Sequence, residues 1–398
     1  MGKREIDNLS REARREQAAP RRPGGLGRML LLLLVLGAVL GAVGYAAYRG
    51  FGSMDSLRRH LSYNKVDADE EGKAELYRFD SDRENQYALL DGKLLVVSPT
   101  RMALMSDDGA EVFSQNVKLA NPAIASGART AVVYDVGGES AYLLGGHGLV
   151  RDLNGEIGGG VTAASVNGSD YLALTTKKSG YKSSVTVFDP SGSPVFTFNS
   201  SDRYVMDACV TGDCRHVAAV TLGESGGSFA SVLSIYALNS ETPVSENTLT
   251  GSLVLSLANM GGSVCAVEDD RFTTFRSDGT LGGSYRYEYP YLRAQSTGSG
   301  EFAALLLGRY RSGSAVQIVT LDAQGEVLGS LNERREVLSL SAAGKYLAVL
   351  YGDALTIYTP DLTEYASLPG TDYARNVIMR PDGTALLIGA VSAWLYIP

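Results

Sequence analysis

The feature that most constrains this chain is a repeat. From about residue 86 onward, a short strand, a Gly-containing turn and a second apolar strand recur at intervals of about 40 residues. The first turns centre on Gly92, Gly127, Gly168, Gly212, Gly261, Gly300, Gly344 and Gly383. The strands that follow (94–97, 131–134, 171–174, 217–220, 264–267, 302–306, 346–349 and 385–388) are short runs of Val, Leu and Ala, as strands buried on both faces require. A third strand and a second turn come next, around Gly109, Gly155, Gly192, Ser240, Gly279, Gly325 and Asp361. Four antiparallel strands at this period make a β-propeller blade.

The final copy has no second turn, because the chain ends at Ser392-Ala393-Trp394-Leu395-Tyr396-Ile397-Pro398, in the third strand. Its open edge must be covered. Glu75-Leu76-Tyr77-Arg78-Phe79, just before the first blade, is available as the fourth strand. The expected fold is therefore all-β: an eight-bladed β-propeller over 75–398, closed by pairing its two ends. Seven blades is the alternative if the weakest copy, 120–160, is not a separate blade. With 46 Gly and 22 Tyr against 10 Phe and 1 Trp, the composition suits many tight turns and short strands.

Charge divides the chain. Residues 1–28 carry +4, which leaves −12 on the remainder of a chain whose net charge is −8. An acidic body excludes a nucleic-acid partner, whose phosphates need a basic surface. Residues 29–48 (MLLLLLVLGAVLGAVGYAAY) hold no charge, and at ~1.5 Å per residue they match a bilayer core of ~30 Å. The basic flank precedes the span, which predicts a cytoplasmic tail over 1–28, a transmembrane helix over 29–48 in contact with the lipid bilayer, a linker over 49–74 and an extracytoplasmic propeller. A cleaved signal peptide is the rival reading; the apolar run and the tail before it are both long for one. Gly37 and Gly41 form a GxxxG pair suited to close helix packing, so a homodimer through the span is an open option.

Few constellations carry chemistry. Gly223-Glu224-Ser225-Gly226-Gly227 matches GxSxG, but a strand follows it and no His lies after His216. No metal-ligand spacing and no cofactor motif is present. Cys209 and Cys214 flank a turn between two antiparallel strands, with Asp207 and His216 nearby. A disulfide across the hairpin, a metal site and two ordinary thiols are all open there. Tyr285, Tyr287, Tyr289 and Tyr291 alternate with Arg286, Glu288 and Pro290, as a ladder packed between blades or a stacking surface would. Two loops between second and third strands are long and cationic. One holds Lys177, Lys178, Tyr181 and Lys182; the other holds Arg309, Tyr310 and Arg311. A third extended loop is expected over 223–228.

The run Leu338-Ser339-Leu340-Ser341-Ala342-Ala343-Gly344-Lys345-Tyr346-Leu347-Ala348-Val349-Leu350 resembles WD40-like and quinoprotein-like propellers. Gly145-Gly146-His147-Gly148-Leu149-Val150-Arg151-Asp152-Leu153 and Asp207-Ala208-Cys209-Val210-Thr211-Gly212-Asp213-Cys214-Arg215 resemble domain of unknown function 5711, a family of single-pass membrane propellers of Gram-positive anaerobes. That resemblance implies architecture and location, with no activity, cofactor or site residue attached. The expected role is a non-enzymatic binding or scaffolding module of the cell envelope, whose partner is an envelope protein or an anionic polymer. The alternative is an envelope enzyme acting on glycan or peptide in the propeller channel.

Overall fold

The computed structural model describes residues 33–37, 59, 62–63, 66–297 and 300–398. The chain divides into two units, 1–64 and 65–398. In the first, residues 33–37 are helical. The tail 1–28, Gly41 and most of the 29–48 span lie outside the described residues, as does much of 49–65. No helix among the described residues is long and apolar enough to cross a membrane.

The second unit is a β-propeller of 32 strands in eight four-stranded antiparallel sheets. Seven sheets are consecutive quartets in chain order, from β2–β5 (86–116, blade 1) to β26–β29 (337–369, blade 7). The eighth combines β30 (Asn376–Met379), β31 (Ala385–Ile388) and β32 (Ser392–Tyr396) with β1 (Lys73–Arg78) from the other end of the unit. β1 runs antiparallel to β32, pairing Lys73 with Tyr396 and Arg78 with Ser392, with a bulge between Glu75 and Tyr77. The expected closure is therefore formed, and the closing strand begins at Lys73 rather than Glu75. Residues 120–160 do supply a separate blade, β6–β9, so the ring has eight blades. One turn differs from the sequence reading. Asp152 to Gly155 follow β9 (Gly148–Asp152) and link blade 2 to blade 3, while the second turn of blade 2 is the tight Gly146-His147 connection.

First strands of neighbouring blades lie against one another, as β10 (Val161–Val166) does on β14 (Tyr204–Val210) and β14 on β18 (Val254–Met260). They are innermost and wall the channel. Fourth strands such as β17 (Pro243–Thr250) alternate exposed with half-buried positions and form the outer rim. Between rim and channel, the second and third strands face a neighbouring blade on either side. This explains why runs such as Leu94, Leu95, Val96 and Val97 show no polar alternation. Leu95 and Val97 pack with Ala131 and Val133 of blade 2, and Leu347 and Val349 with Leu306 and Ile318 of blade 6. Each such side chain contributes about 1.5–3 kcal/mol by leaving water.

Polar links supplement this packing. Ser339 Oγ and Ser341 Oγ of β26 (Val337–Ala343) accept the backbone N–H groups of Val377 and Met379 on the next innermost strand. Asp170, in the first turn of blade 3, accepts the N–H of Arg129 and of Thr130 in blade 2, at 2.8 and 2.9 Å, and pairs with Arg129 Nε at 2.9 Å.

Candidate functional site

The two faces of the ring differ in chemistry. One is built from the first and second turns of each blade. There aspartates cap the backbone two residues on: Asp108 accepts the N–H of Ala110, Asp189 of Ser191, Asp278 of Thr280 and Asp322 of Gln324, at 2.8–3.1 Å. Local hydrogen bonds with Ser106 hold the Asp108 carboxyl below its usual range, and those with Ser191 and Ser193 do the same for Asp189. Much of the acidity read from the sequence is thus committed to turn geometry. The chain also enters and leaves the ring on this face, since Lys73 and Tyr396 sit at that end of their strands.

The opposite face carries the loops between second and third strands and the links between blades. Lys177, Lys178, Tyr181 and Lys182 join β11 (Leu172–Thr176) to β12 (Ser183–Phe188), and all four are exposed. Arg309, Tyr310 and Arg311 join β23 (Ala303–Gly308) to β24 (Val316–Leu321), again exposed. The two loops belong to blades 3 and 6, so the ring holds them apart. They share one arrangement. Lys182 Nζ lies 5.1 Å from the centre of the Tyr204 ring, and the Arg311 guanidinium lies 5.8 Å from that of Tyr291. Tyr204 and Tyr291 are the first residues of β14 and β22 (Tyr291–Ser296), at the channel mouth. Each loop thus lays a cation on an aromatic at the top of an innermost strand, a contact of about 0.5–1 kcal/mol where exposed. Arg293 fixes the second loop by donating to the carbonyl oxygens of Tyr310 and Gly313.

The sequence reading missed Tyr204. Its only signal was the Arg-Tyr pair opening a strand directly after a link between blades. Tyr291 was read as part of a ladder. The structure splits that set: Tyr285, Tyr287 and Tyr289 pack against blades 5 and 6, with Tyr287 Oη donating to the Glu268 carbonyl, while Tyr291 is exposed.

Residues 223–228 form no loop. β15 (His216–Ser225) and β16 (Ser228–Ala237) run ten residues each and meet at the two-residue turn Gly226-Gly227, in the longest hairpin of the ring. The GxSxG motif is the end of this hairpin, far from the strand-to-helix turn its chemistry needs. Phe229, paired with Glu224 near the tip, is 79% exposed.

Of the options open at Cys209 and Cys214, the candidate disulfide is not formed: Cys209, Cys214 and Cys265 are free. Register is the cause. Cys209 pairs with Ala218 and packs towards blade 5, whereas Cys214 sits in the turn and receives the Asn167 Nδ2 hydrogen bond from blade 3. The two thiols face opposite neighbours. His216 is taken up by Asp213, at 3.2 Å. Among the described residues no group of three His, Cys, Asp or Glu is arranged to hold a metal ion. Of the paired Gly37 and Gly41, only Gly37 is described, with nothing within 4 Å of a Cβ added there.

The channel wall is nearly free of charge. Across the eight innermost strands Asp207 is the one carboxylate and Arg293 the one cation. Asp207 sits just after a bulge and accepts the N–H of Leu257 on β18 and of Ala208, both at 2.8 Å. Burial lifts its carboxyl to about 6, against the pull of those two hydrogen bonds. Because the folded value lies above the unfolded one, protonation favours the fold. The contribution is full below pH ~4 and is lost as pH rises through ~6, about 3 kcal/mol in all. Melting temperatures from pH ~4 to ~7 are expected to show this loss in the wild type and not in Asp207→Asn; parallel profiles would contradict it.

Fold and faces define a β-propeller with no motif of known chemistry in its channel. The chain belongs to the family described as "Family of unknown function (DUF5711)", which matches residues 64–366. No curated protein matches it. Among solved structures it is similar to the computationally designed Ika8 protein, at 10% identity and a TM-score of 0.58, over 81% of this chain and 99% of that one. The C-terminal WD40 domain of Sif2 is similar at 12% identity and 0.57, over 82% and 98%. BamB from Moraxella catarrhalis is similar at 13% and 0.51, also over 82% and 98%. At these identities the likeness is one of fold.

Proposed function

We propose that this protein is a membrane-anchored, extracytoplasmic binding or scaffolding module, non-enzymatic, that holds an anionic partner in the cell envelope. The observation that carries the reading is the pair of exposed cation–tyrosine loops on blades 3 and 6, on the face that neither terminus of the ring occupies. Five cations in two loops stand out on a body of net charge −12. The uncharged run 29–48 behind a basic tail supports the anchor, and through it a lipid bilayer contact and a dimer by way of Gly37 and Gly41. A glycoside hydrolase working in the channel would need a pair of carboxylates on the innermost strands. Asp207 is alone there, and both its oxygens accept backbone N–H groups.

One experiment tests location and face together. A membrane-impermeant thiol crosslinker is attached to Ser312→Cys in intact cells, in a chain lacking the native cysteines. A covalent adduct is expected, and it should be lost when Lys177, Lys178, Lys182, Arg309 and Arg311 are all replaced by Ser. No labelling of intact cells would overturn the location; an adduct indifferent to the charge changes would overturn the face.

A further inference from the structure

Three consecutive carboxylates, Glu268, Asp269 and Asp270, stand where β19 (Ser263–Glu268) turns into β20 (Arg271–Arg276) in blade 5. This turn holds both links of the blade. Towards blade 4, Asp269 Oδ1 accepts the N–H of Leu253 at 2.8 Å, and the Asp269 N–H donates to the Leu253 carbonyl at 3.0 Å. The Ser252 hydroxyl lies 3.1 Å from Asp269 Oδ1 and 2.9 Å from Asp270 Oδ1. Towards blade 6, the Asp270 carbonyl accepts the N–H of Tyr287 and the Glu268 carbonyl accepts the Tyr287 hydroxyl, both at 3.0 Å. The two links lead directly into the innermost strands β18 and β22.

Charge is unevenly matched around this turn. The Glu268 side chain is fully buried. Its Oε1 accepts the Thr273 hydroxyl at 2.5 Å, while its Oε2 has no hydrogen-bond partner among the described residues. An ionised carboxylate there is a buried charge with one oxygen unserved. Arg271 lies within reach but is engaged elsewhere. Its Nε is 2.9 Å from Asp270 Oδ1 and its Nη2 is 3.2 Å from Asp270 Oδ2, whereas Glu268 Oε2 is 3.8 Å from Nε. Asp270 has a second cation in Arg286 of β21 (Leu281–Arg286), at 3.6 Å. Glu268 has no second ion pair among the described residues. Arg271 is therefore a counter-ion shared by two acids, of which Asp270 alone has a substitute.

We infer that Glu268 is a proton-operated latch on the two links of blade 5: protonated, it leaves Arg271 on Asp270 and the turn closed over both links; ionised, it draws Arg271 inward and loosens them. Three adjacent negative charges then repel one another, and Asp270 keeps only the longer contact with Arg286. Burial favours the neutral acid and pushes the Glu268 carboxyl above the ordinary glutamate range, with Asp270 adding to it, against the pull of the Ser252 and Thr273 hydroxyls and of Arg271. Because the folded value is raised, the latch is closed below pH ~4 and releases as pH rises through that value. The other charged or titratable groups facing it are Asp269, Arg286, Tyr287 and, on the seam with blade 4, Asp207, which accepts the N–H of Leu257. The Tyr287 hydroxyl is itself pushed up by burial and stays neutral.

The test is hydrogen exchange of the full chain from pH ~5 to ~9, read by mass spectrometry with labelling times scaled to the intrinsic exchange rate. Protection of the links, residues 251–254 and 287–291, is expected to fall by about tenfold or more as pH rises, while blade 1 stays level. The fall should persist in Asp207→Asn and vanish in Glu268→Gln, which keeps the shape of the neutral acid. Arg271→Gln removes the shared counter-ion and should move the midpoint of the fall to higher pH. Level protection in the wild type, or an equal fall in Glu268→Gln, would overturn the latch. An unmoved midpoint in Arg271→Gln would overturn the exchange of Arg271 between the two acids, and this arm decides the matter if Glu268→Gln does not fold.

Discussion

Removal of residues 73–78 is expected to destroy the ring's stability rather than trim it. The six residues form the outermost strand of blade 8, and they bury Ala74 and Tyr77 to 5% and 0% exposure. The Tyr77 hydroxyl accepts a hydrogen bond from Arg380, which also donates to the Gly92 carbonyl of blade 1. The strand thus closes a sheet and braces the seam between the last blade and the first. Deleting a buried aromatic alone costs about 3–5 kcal/mol, and the whole stability of a domain is about 5–15 kcal/mol. The bare edge of β32 would then invite pairing with other chains. A cooperative melt at the wild-type temperature, with a monodisperse sedimentation profile, would refute the role assigned to the closing strand.

Asp170→Ala should be the most damaging single change away from that seam. The Asp170 side chain is 1% exposed, and it serves two backbone N–H groups, the Thr130 hydroxyl and the Arg129 guanidinium across the junction of blades 2 and 3. Burial pushes its carboxyl up, but these donors outweigh burial and hold it below the usual range. Removing it strands them, at about 3–5 kcal/mol. Its left-handed backbone (φ 66) adds strain for Ala. Since the folded value is depressed, the contribution is present above the unfolded pKa and fades as pH falls below ~4. Denaturant unfolding at pH ~7 should show the loss. A change under about 1 kcal/mol would mean the donors find water instead.

The ring was legible because a propeller writes its period into turns. Gly109 and Gly325 adopt φ of 80 and 77, a region open to glycine, so each second turn leaves a mark in sequence. Blade 2 misled because its second turn, at Gly146-His147, lacks an Asp, and Asp152-Leu153-Asn154-Gly155 mimics the expected pattern one strand later. The candidate disulfide is not formed for a related reason. Flanking a turn does not make two residues cross-strand partners: Cys214 lies inside the turn, and strand parity sends Cys209 to the other face. The cationic loops were visible as insertions between strands. The exposure of Met206 and Leu255 was not, since the β-bulges that turn them outward leave no mark of this kind in sequence.

The closing strand also fixes an order of events in synthesis. β1 leaves the ribosome first among the strands, and its partner β32 leaves last. Until residues 392–396 emerge, the earliest strand has no mate and the last blade cannot form. Bringing ends roughly 300 residues apart together costs about 5 kcal/mol of chain entropy, a cost offset only once the intervening seven blades already hold them close. A nascent chain that stops before residue 392 therefore leaves β1 without its partner and the eighth blade at two strands.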